Sequence, residues 1–504
     1  MQLKASLLLA TLTFGFSVQN QAQVLNENRI EFDLNEDYED FGLSAYGADG
    51  LILYAKLEKK DIWKLERYST DLKSDKSVNV TIGKKQTLKK KVEDENELNM
   101  LFTDAKGNYT FIHVEPATLE VTKKSGVMPK KTQVGEIAIL NNLVLVAGQN
   151  TKGPVLFTID YQSGKQTFIP LAISGYGPKD LTIENMQIME DETEAIIYIN
   201  AADSRLGKNV YDQSVYAMHI NTSSKKTDLY MIETDGEHQL TSVSASKTGD
   251  DEYILTGTYS TRGTNTSQGI FIAGVSNKTV SFIKYHNFLD FNEFLSYLPD
   301  RKKEKIEKKK ERKEDNDKEF SIDYLMASHE IAVMNDQYIY LGEAYYPTYR
   351  TETYTTTVNG QTVTRTRTVF DGNQYTHATI AAFDDEGELI WDRTFEMWPS
   401  YKPFFAKRFI ELNIDEDNIN MLFASNNSIK SMQVDDNGKI LHDNSAELID
   451  TGSDSDKVKD SYSNLSYWYD NYFLAHGNQT IKDSDASFGK KKRRVYFINK
   501  ISFE

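Results

Sequence analysis

The stretch GEIAILNNLVLVAGQNTKGPVLFTIDYQSGKQTFIPL, residues 135–171, decides the fold. It contains short apolar segments separated by polar turns, and each segment has the length and composition of a β-strand. Turns such as Asn141-Asn142 and Ser163-Gly164 are short enough to join antiparallel neighbours. The stretch therefore predicts a unit of four antiparallel strands, which we name A to D in chain order.

The same unit recurs along the chain. Its B strand is the clearest member, because it is an almost continuous apolar run. The eight B segments are LILYAKL (51–57), LNMLFTD (98–104), LVLVAGQ (143–149), AIIYINA (195–201), YILTGTY (253–259), YIYLGEA (338–344), INMLFAS (419–425) and YFLAHGN (472–478). A C strand follows each of them, and seven C strands turn tightly into a D strand, so the repeat is about 50 residues long.

A repeat of this kind predicts an all-β fold, the β-propeller, whose four-stranded sheets are arranged around a central channel. Apolar B strands fit this fold, since stacked blades bury both faces of their inner strands. We expect eight blades, with seven as the alternative if one unit is wrongly divided. The eighth unit stops after its C strand, and RIEFDL (29–34) is expected to supply the missing strand and close the ring.

The turns between C and D strands resemble those of the eight-bladed quinoprotein-like β-propeller superfamily. The residues that carry the resemblance are Ala382, Asp384, Gly387 and Trp391, with Asp160, Gly164, Asp435 and Gly438 in two other turns. The superfamily includes cofactor-dependent dehydrogenases and non-catalytic periplasmic scaffolds. Its quinone-binding dehydrogenases typically have adjacent cysteines at the cofactor, and this chain has no cysteine. The resemblance therefore implies a scaffold or binding protein, and we expect no cofactor.

The N-terminus has the pattern of a secretory signal peptide. Within residues 1–22, Lys4 precedes an apolar run from Leu7 to Phe16, and small Ala22 follows a polar stretch. The run is too short to span a membrane, and no later segment reaches the required length. We therefore expect a protein exported to the periplasm or cell surface, with residues 23–504 forming one propeller domain.

Charge and cysteine content exclude several functions. The formal net charge of −17 argues against nucleic acid as a general partner. The absence of cysteine excludes disulfides, thiolate metal sites and a cysteine nucleophile. We expect a monomer without a metal site.

Two insertions interrupt the repeat, and both flank blade 6. Residues 286–328 form the first, in which Phe288, Phe291, Leu295 and Leu298 have helical spacing. Residues 351–370 form the second, a β-hairpin without an apolar face that turns at Asn359-Gly360. Connections from D to A and from B to C leave an antiparallel blade at the same end. Both insertions are therefore expected on one face of the propeller, over the mouth of its channel.

The first insertion contains a strongly basic run. Between Arg301 and Lys313 there are nine basic and three acidic residues. The run could bind an acidic polysaccharide or an acidic partner. Alternatively it is a solvated helix or a disordered tether. We expect poor order from Arg301 to Glu319, because so few apolar groups offset the entropy of ordering this segment.

Candidate site residues follow from the expected topology, because A strands start and B strands end on the face with the insertions. Candidates for acid–base chemistry are His329, Glu330, Glu343 and His377. Candidates for binding are Tyr345, Tyr346, Tyr349, Arg350, Tyr375, Arg408, Tyr467 and Trp468. Aromatic platforms with Arg and carboxylates suit a sugar or a peptide.

Two classes of function remain open. The first is a binding or scaffold propeller that engages a glycan, a peptide or an envelope protein through this face. The second is a glycan hydrolase or lyase that uses a His and a Glu as acid and base. The absence of a catalytic motif and the family resemblance favour the first class.

Overall fold

A computed structural model describes residues 24–503, except 35–37, 58–59, 94–95, 190–192, 203–212, 223–225, 262–263, 265, 316–319, 359–360, 416, 454 and 484–491. The expected signal peptide lies outside the described residues. The 34 strands of the described residues form eight antiparallel sheets, each one a blade of the expected propeller. The alternative of seven blades is wrong.

Blades 1 to 4 are regular, with strand order A-B-C-D in each. Their strands are β2 (Tyr38–Ala45), β3 (Leu51–Leu57), β4 (Ile62–Tyr68) and β5 (Ser74–Thr81) in blade 1; β6 (Thr87–Glu93), β7 (Leu98–Thr103), β8 (Asn108–Glu115) and β9 (Glu120–Val127) in blade 2; β10 (Gln133–Leu140), β11 (Leu143–Asn150), β12 (Gly153–Asp160) and β13 (Gln166–Phe168) in blade 3; and β14 (Leu181–Ile188), β15 (Glu194–Ala202), β16 (Gln213–Asn221) and β17 (Lys226–Met231) in blade 4.

Blades 5 and 6 have an A strand divided into two pieces, and blade 8 takes its D strand from the N-terminus. The strands are β18 (His238–Leu240), β19 (Ser244–Gly249), β20 (Glu252–Thr261), β21 (Gly269–Ser276) and β22 (Thr279–Asn287) in blade 5; β23 (Leu325–Ser328), β24 (Ala332–Met334), β25 (Gln337–Val358), β26 (Gln361–Phe383) and β27 (Leu389–Glu396) in blade 6; β28 (Glu411–Ile414), β29 (Asn418–Ser425), β30 (Ser428–Asp435) and β31 (Ile440–Leu448) in blade 7; and β32 (Asp456–Tyr469), β33 (Tyr472–Asp483), β34 (Arg493–Phe503) and β1 (Val24–Asp33) in blade 8.

The N-terminal strand closes the ring. β1 pairs antiparallel with β34, with Arg29 opposite Asn499 and Asp33 opposite Val495. The Arg29 guanidinium strengthens the pairing, because it donates hydrogen bonds to Asn499 Oδ1 (2.7 Å) and to Gln479 Oε1 (2.8 Å). This is the pairing expected for residues 29–34.

Eight buried apolar clusters hold the blades together, and each is shared by two consecutive blades. One member from each side of every seam is given by the pairs Trp63 and Phe102, Phe111 and Phe157, Leu145 and Ile197, Tyr198 and Phe271, Ile270 and Phe383, Ile380 and Ile419, Leu422 and Phe497, and Ile498 and Leu53. The last cluster joins blade 8 to blade 1. Because side chains on both faces of the B and C strands are buried in this way, the near-continuous apolar B strands are accounted for.

The turns that carry the family resemblance also pack between blades. Gly438 adopts φ +73°, and a Cβ at this position would lie 2.5 Å from the ring of Trp391 in the preceding blade. The same indole donates a hydrogen bond from Nε1 to the carbonyl oxygen of Asp436 (2.9 Å). The Asp–Gly turn of blade 7 is therefore fitted to the Trp of blade 6, and a side chain larger than hydrogen at residue 438 would separate them.

The first insertion differs from its expected structure. Residues 288–290 form a single 3-10 turn, and the α-helix α1 begins later, at Asp300–Glu314. The prediction of a helix from the spacing of Phe288, Phe291 and Leu295 is wrong, because these side chains fill the seam between blades 5 and 6 from irregular backbone. The expectation of poor order from Arg301 to Glu319 is also wrong for the residues of α1, and residues 316–319 lie outside the described residues.

The insertion lies at the periphery of the propeller. Asp392 of the outer strand β27 accepts hydrogen bonds from the backbone N–H groups of Asn292 (3.0 Å) and Glu293 (2.7 Å). Thr394 of the same strand donates to the Glu293 carbonyl (2.7 Å). The expectation that this insertion covers the channel mouth is therefore wrong for residues 288–298, which pack against an outer strand.

The second insertion is the two-stranded ribbon predicted from the sequence. β25 and β26 continue beyond the blade, and their pairing extends to Val358 opposite Gln361. The Asn359-Gly360 turn lies outside the described residues, but this register leaves two residues for it. Among the described residues, no helix has the length and apolar content that a membrane span requires.

Candidate functional site

The face with the insertions, which carries the B–C turns and the D–A connections, has an ordered platform at the base of the ribbon. A β-bulge leaves Asp371 without a cross-strand partner, and Gly372 next to it has φ +103°. A Cβ on Gly372 would lie 2.5 Å from the carbonyl oxygen of Lys402, so the connection from blade 6 to blade 7 approaches closely here. Lys402 Nζ binds Asp371 (3.0 Å), and Asn373 N–H donates to the Pro403 carbonyl (2.9 Å). The connection and the ribbon thus brace one another.

Four aromatic side chains form what we call the ribbon-base surface: Tyr349, Phe370, Phe404 and Phe405. The rings of Tyr349 and Phe370 have centroids 5.9 Å apart, and those of Phe370 and Phe404 are 5.8 Å apart. Tyr349 is 62% exposed, Phe404 65% and Phe405 85%. Two consecutive Phe residues with this exposure contribute little to the propeller core, so they form an apolar patch on the surface.

Charges border this surface. Arg350 pairs with Glu352 (2.9 Å) and with Asp371 (3.4 Å), and Arg367 pairs with Glu352 from the opposite strand (2.8 Å). The two guanidinium groups lower the pKa of Glu352 by hydrogen bonding to it. Tyr346 is 48% exposed on the same strand as Arg350. The expected binding residues Tyr346, Tyr349 and Arg350 are therefore on one side of the molecule and reach solvent.

The central channel contains the second group of expected residues. His329 and Arg408 line a cavity of about 180 Å³, together with Glu136, Glu184 and Ser242. Each of these five residues comes from a different blade, from 3 to 7. The A strands of blades 4 and 6 bulge at this level, where Glu184 and the segment 329–331 interrupt the regular pairing. Bulges aim side chains away from the regular pleat, which is how these groups reach the channel.

The channel environment alters the carboxyl groups. The side chain of Glu330 is exposed, but it faces the channel, whose walls remove part of its hydration and raise its pKa. The nearby carboxylate of Glu136 raises this pKa further. Arg408 and His329 act in the opposite direction. Arg408 is fixed by a hydrogen bond from Nε to the Ser328 carbonyl (2.8 Å).

Glu411 begins β28, the A strand of blade 7, and was not among the expected residues. Desolvation raises the pKa of Glu411 to about 7, and a hydrogen bond from the Tyr467 N–H (3.4 Å) partly opposes the shift. A carboxyl group that exchanges its proton near neutral pH can act as an acid or a base. The sequence gives no sign of this, because the shift arises from surrounding blades.

Glu343 is fully buried and is used to join two blades. Its carboxylate accepts hydrogen bonds from the backbone N–H groups of Phe409 (2.7 Å) and Ile410 (2.9 Å), which lead into blade 7. The same oxygen lies 2.9 Å from His329 Nε2. Glu343 therefore positions the imidazole of His329 at the wall of the channel but does not itself face the cavity.

His377 is separate from this group. It is fully buried, and its ring stacks on Tyr297 of the first insertion with centroids 4.0 Å apart. Phe294 and Tyr324 pack edge-on against the same ring. Burial lowers the pKa of His377 to about 3. The expectation that His377 converges with His329 at the channel mouth is not met, because the insertion encloses it.

Two further expected residues are structural. Tyr375 is buried, donates its hydroxyl hydrogen to the Lys407 carbonyl (2.6 Å) and accepts from the Lys407 N–H (2.8 Å), so it anchors the connection to blade 7. Tyr345 stacks on Tyr375, with ring centroids 5.0 Å apart. These rings pack beneath the ribbon-base surface and do not form part of it.

Tyr467 and Trp468 lie near the C-terminal end of their strand β32, whereas they were expected at its start. β32 starts at Asp456, and Tyr469 pairs with Tyr472 across the turn into β33, so both residues are close to the A–B turn. Trp468 is buried and donates from Nε1 to the Gly50 carbonyl of blade 1 (2.9 Å). The predicted position at the start of the strand is wrong, because β32 is 14 residues long and begins earlier than expected.

Within the described residues, one group of carboxylates is close enough to share a cation: Asp384, Asp385 and Glu386 in the C–D turn of blade 6. Asp385 and Glu386 are exposed, and an exposed acidic turn does not define a metal site on its own. Phe404 and Phe405 are binding candidates that the sequence patterns did not reveal. The available signal was two consecutive Phe residues directly after Pro403, in a connection expected on this face.

The eight antiparallel sheets described above form a β-propeller of eight blades. No family model matches the chain, and no curated protein sequence matches it. Similar solved structures include the polysaccharide lyase Uly1 (10% identity, TM-score 0.40, covering 95% of this chain and 100% of that one). The β-propeller domain of Vanderwaltozyma polyspora Nup133 is similar at 11% identity and TM-score 0.40, covering 83% and 100%. The Dos1 propeller is similar at 9% identity and TM-score 0.38, covering 75% and 74%. None of these likenesses bears on function.

Proposed function

We propose that this protein is an exported binding or scaffold propeller that engages a protein or peptide partner through the ribbon-base surface. The observation that carries the proposal is the exposure of Phe404 and Phe405, at 65% and 85%, on a connection that is braced by the ribbon. Aromatic residues and Arg are enriched at protein interfaces, and rigid aromatic anchors lose little entropy on binding. The quinoprotein-like turns support the non-catalytic scaffold branch.

The ribbon supports a protein partner in a second way. A two-stranded ribbon beyond the blade has two edges, and each presents backbone N–H and C=O groups that an extended peptide can pair with. Val358 and Gln361 mark the end of this pairing, so the edges continue well beyond the aromatic base. An extended segment could therefore pair along the ribbon while its apolar side chains contact Phe404 and Phe405.

The test compares a double substitution in the ribbon-base surface with a single substitution of an exposed Phe elsewhere on the propeller. Phe404→Ser with Phe405→Ser should abolish binding to a peptide library and to extracted envelope proteins, while the melting temperature stays within a few degrees of the parent value. Phe168→Ser, at a 51% exposed Phe in the outer strand of blade 3, is the control. Equal binding by parent and double variant would disprove the proposed site. Preference for neutral glycans over peptides would assign a glycan partner to the same surface.

A glycan-processing enzyme is the second candidate, and a specific observation favours it. Buried Glu343 positions His329 in the wall of the channel, next to Glu330. The pKa of Glu330 is raised, and so is that of Glu411 in the adjacent blade. A positioned imidazole beside a carboxyl group with a raised pKa is an arrangement that general acid–base catalysis uses. The cavity of about 180 Å³ is small for an oligosaccharide, which places this candidate second.

A further inference from the structure

Helix α1 (Asp300–Glu314) carries its opposite charges on different sides. At 3.6 residues per turn, successive residues are about 100° apart around the axis. The acidic residues Asp300, Glu304, Glu307 and Glu311 then fall within one sector of roughly 60°. Most of the basic residues fall on the opposite side. A helix that is merely solvated needs no such separation, since mixed i, i+4 pairs would suffice.

A third side of α1 contacts the rest of the protein. The less exposed residues Lys303, Ile306, Lys310 and Lys313 recur at helical spacing. Lys310 donates from Nζ to the Leu289 carbonyl (3.2 Å) and lies 3.7 Å from Asp290. This contact fixes which sides of the helix remain available to solvent.

The remaining side is an exposed basic stripe. It consists of Arg301, Lys302, Lys305, Lys308, Lys309 and Arg312. The stripe is about 16 Å long at 1.5 Å per residue. No acidic residue of the helix lies on it, although Lys308 at its edge is 3.8 Å from Glu304. The segment from Arg301 to Lys313 has a net charge of +6 (nine basic minus three acidic), in a protein whose total is −17. Positive charge is thus concentrated at one place on an acidic molecule.

We propose that the basic stripe of α1 binds an acidic polysaccharide. The composition of the helix argues against two other partners. Ile306 is the one apolar residue in α1, so the helix has no apolar side to insert into a membrane surface. A folded protein partner would require a desolvated centre with apolar anchors, which the stripe does not have. A linear chain with repeated carboxylate or sulfate groups requires only spaced cations.

Polysaccharide is also a better match than nucleic acid. Single-stranded nucleic acid is bound through bases stacked on exposed aromatic rings. α1 itself has no aromatic residue, and Lys309 already lies over the ring of Phe320 (4.7 Å).

The experiment compares two variants with the same change in charge. Lys302→Gln, Lys305→Gln and Lys308→Gln together should weaken binding to polygalacturonate at low salt by about tenfold or more. Gln retains helix propensity close to that of Lys, so α1 should persist, which hydrogen exchange of residues 300–314 verifies. The control is Lys84→Gln, Lys85→Gln and Lys130→Gln, three exposed lysines elsewhere, which should change binding by less than about twofold. Binding by the parent should vanish at about 1 M salt, where the Debye length is ~3 Å.

Each possible result of this experiment either supports or overturns the proposal. It is supported if polygalacturonate binds the parent and the control but not the helix variant, while neutral dextran does not bind. It is overturned if polygalacturonate fails to bind, if both triple variants lose binding equally, or if oligothymidylate, poly-glutamate or phosphatidylglycerol vesicles bind more tightly. The proposal does not depend on the ribbon-base surface: the Phe404→Ser, Phe405→Ser variant should bind polygalacturonate like the parent.

Discussion

Nε2 of His329 lies 2.9 Å from Oε1 of Glu343, a carboxylate that has no solvent exposure. Two backbone N–H groups of the segment entering blade 7 point at the same carboxylate. One side chain thus positions a channel imidazole and connects two blades. This double use explains how a Glu can occupy the middle of an apolar B strand, because each of its oxygens is provided with a donor.

Replacing Glu343 should therefore destabilise the protein. Glu343→Ala leaves the N–H groups of Phe409 and Ile410 buried without an acceptor, and we expect a loss of about 3 kcal/mol in the free energy of unfolding. Chemical and thermal unfolding would measure it. Glu330→Gln, which changes an exposed carboxyl group one residue from His329, is the control and should have little effect. An unchanged unfolding midpoint for Glu343→Ala would contradict the structural role.

Two histidines, the fully buried His377 and the half-buried His476, predict a stability that falls in mild acid. Desolvation lowers the pKa of His377 and of His476 to about 3, whereas a histidine in the unfolded chain titrates near 6.5. Below pH 6.5 the unfolded state binds protons that the native state does not. For each histidine, the free energy of unfolding should then fall by about 1.4 kcal/mol per pH unit as the pH falls from 6.5 toward 3.

His377→Phe tests this dependence, since a phenyl ring can stack on Tyr297 in the same way. The variant should match the parent at pH 7.5 and lose less stability between pH 6.5 and pH 5, by roughly 2 kcal/mol. Melting temperatures across this range provide the measurement. If parent and variant lose stability in parallel, His377 is protonated in the native state and its described burial is wrong.

Removal of the ribbon should leave the propeller intact. Thr351 pairs with Thr368, so deleting residues 352–367 and inserting Asn-Gly between these two Thr residues gives a regular two-residue hairpin. The deleted residues contribute no core, and the melting temperature should change by only a few degrees. Binding to a confirmed protein partner should be lost. Unchanged binding would mean that the partner contacts the ribbon-base surface and not the ribbon beyond it.

His329→Ala separates the two candidate functions. If the protein is a binding propeller, the substitution should leave partner affinity within about twofold, because His329 is in the channel and away from the ribbon-base surface. If the protein processes glycans, turnover should fall by about 10²-fold or more while substrate binding is retained. Steady-state kinetics on a confirmed substrate provide the measurement, and a partner affinity that collapses without any turnover would contradict both assignments.

The sequence predicted the ring because its signal is local and repeated. Each B strand is a short apolar run between turn residues, and Leu145 or Leu422 needs no distant information to be assigned to a buried strand. The closing strand was predicted because the eighth unit stops after its C strand, which leaves one strand to be supplied by residues 29–34. The helix of the first insertion failed for a physical reason: Phe288 and Phe291 have a spacing that suits a helix, but rings on irregular backbone fill the seam between two blades equally well.

The candidate site was only partly predictable. Tyr349 and Arg350 were found because topology places the ends of B strands on one face. Phe404 and Phe405 were missed, since a connection has no periodicity that reveals which side chains face solvent. Glu411 was missed because its altered proton affinity is produced by the surrounding blades, which no local pattern records.

The closing strand has a consequence for how the protein is made. β1 is the first described strand to be synthesised, and its partner β34 is the last, so β1 has no place to pair until almost the whole chain has followed. Until then seven blades form an open arc with exposed edges at both ends. A chain that lacks β1 would keep β34 paired with β33 but leave the outer edge of β34 permanently without a partner. Its expected failure is association of one arc with another by strand exchange between molecules.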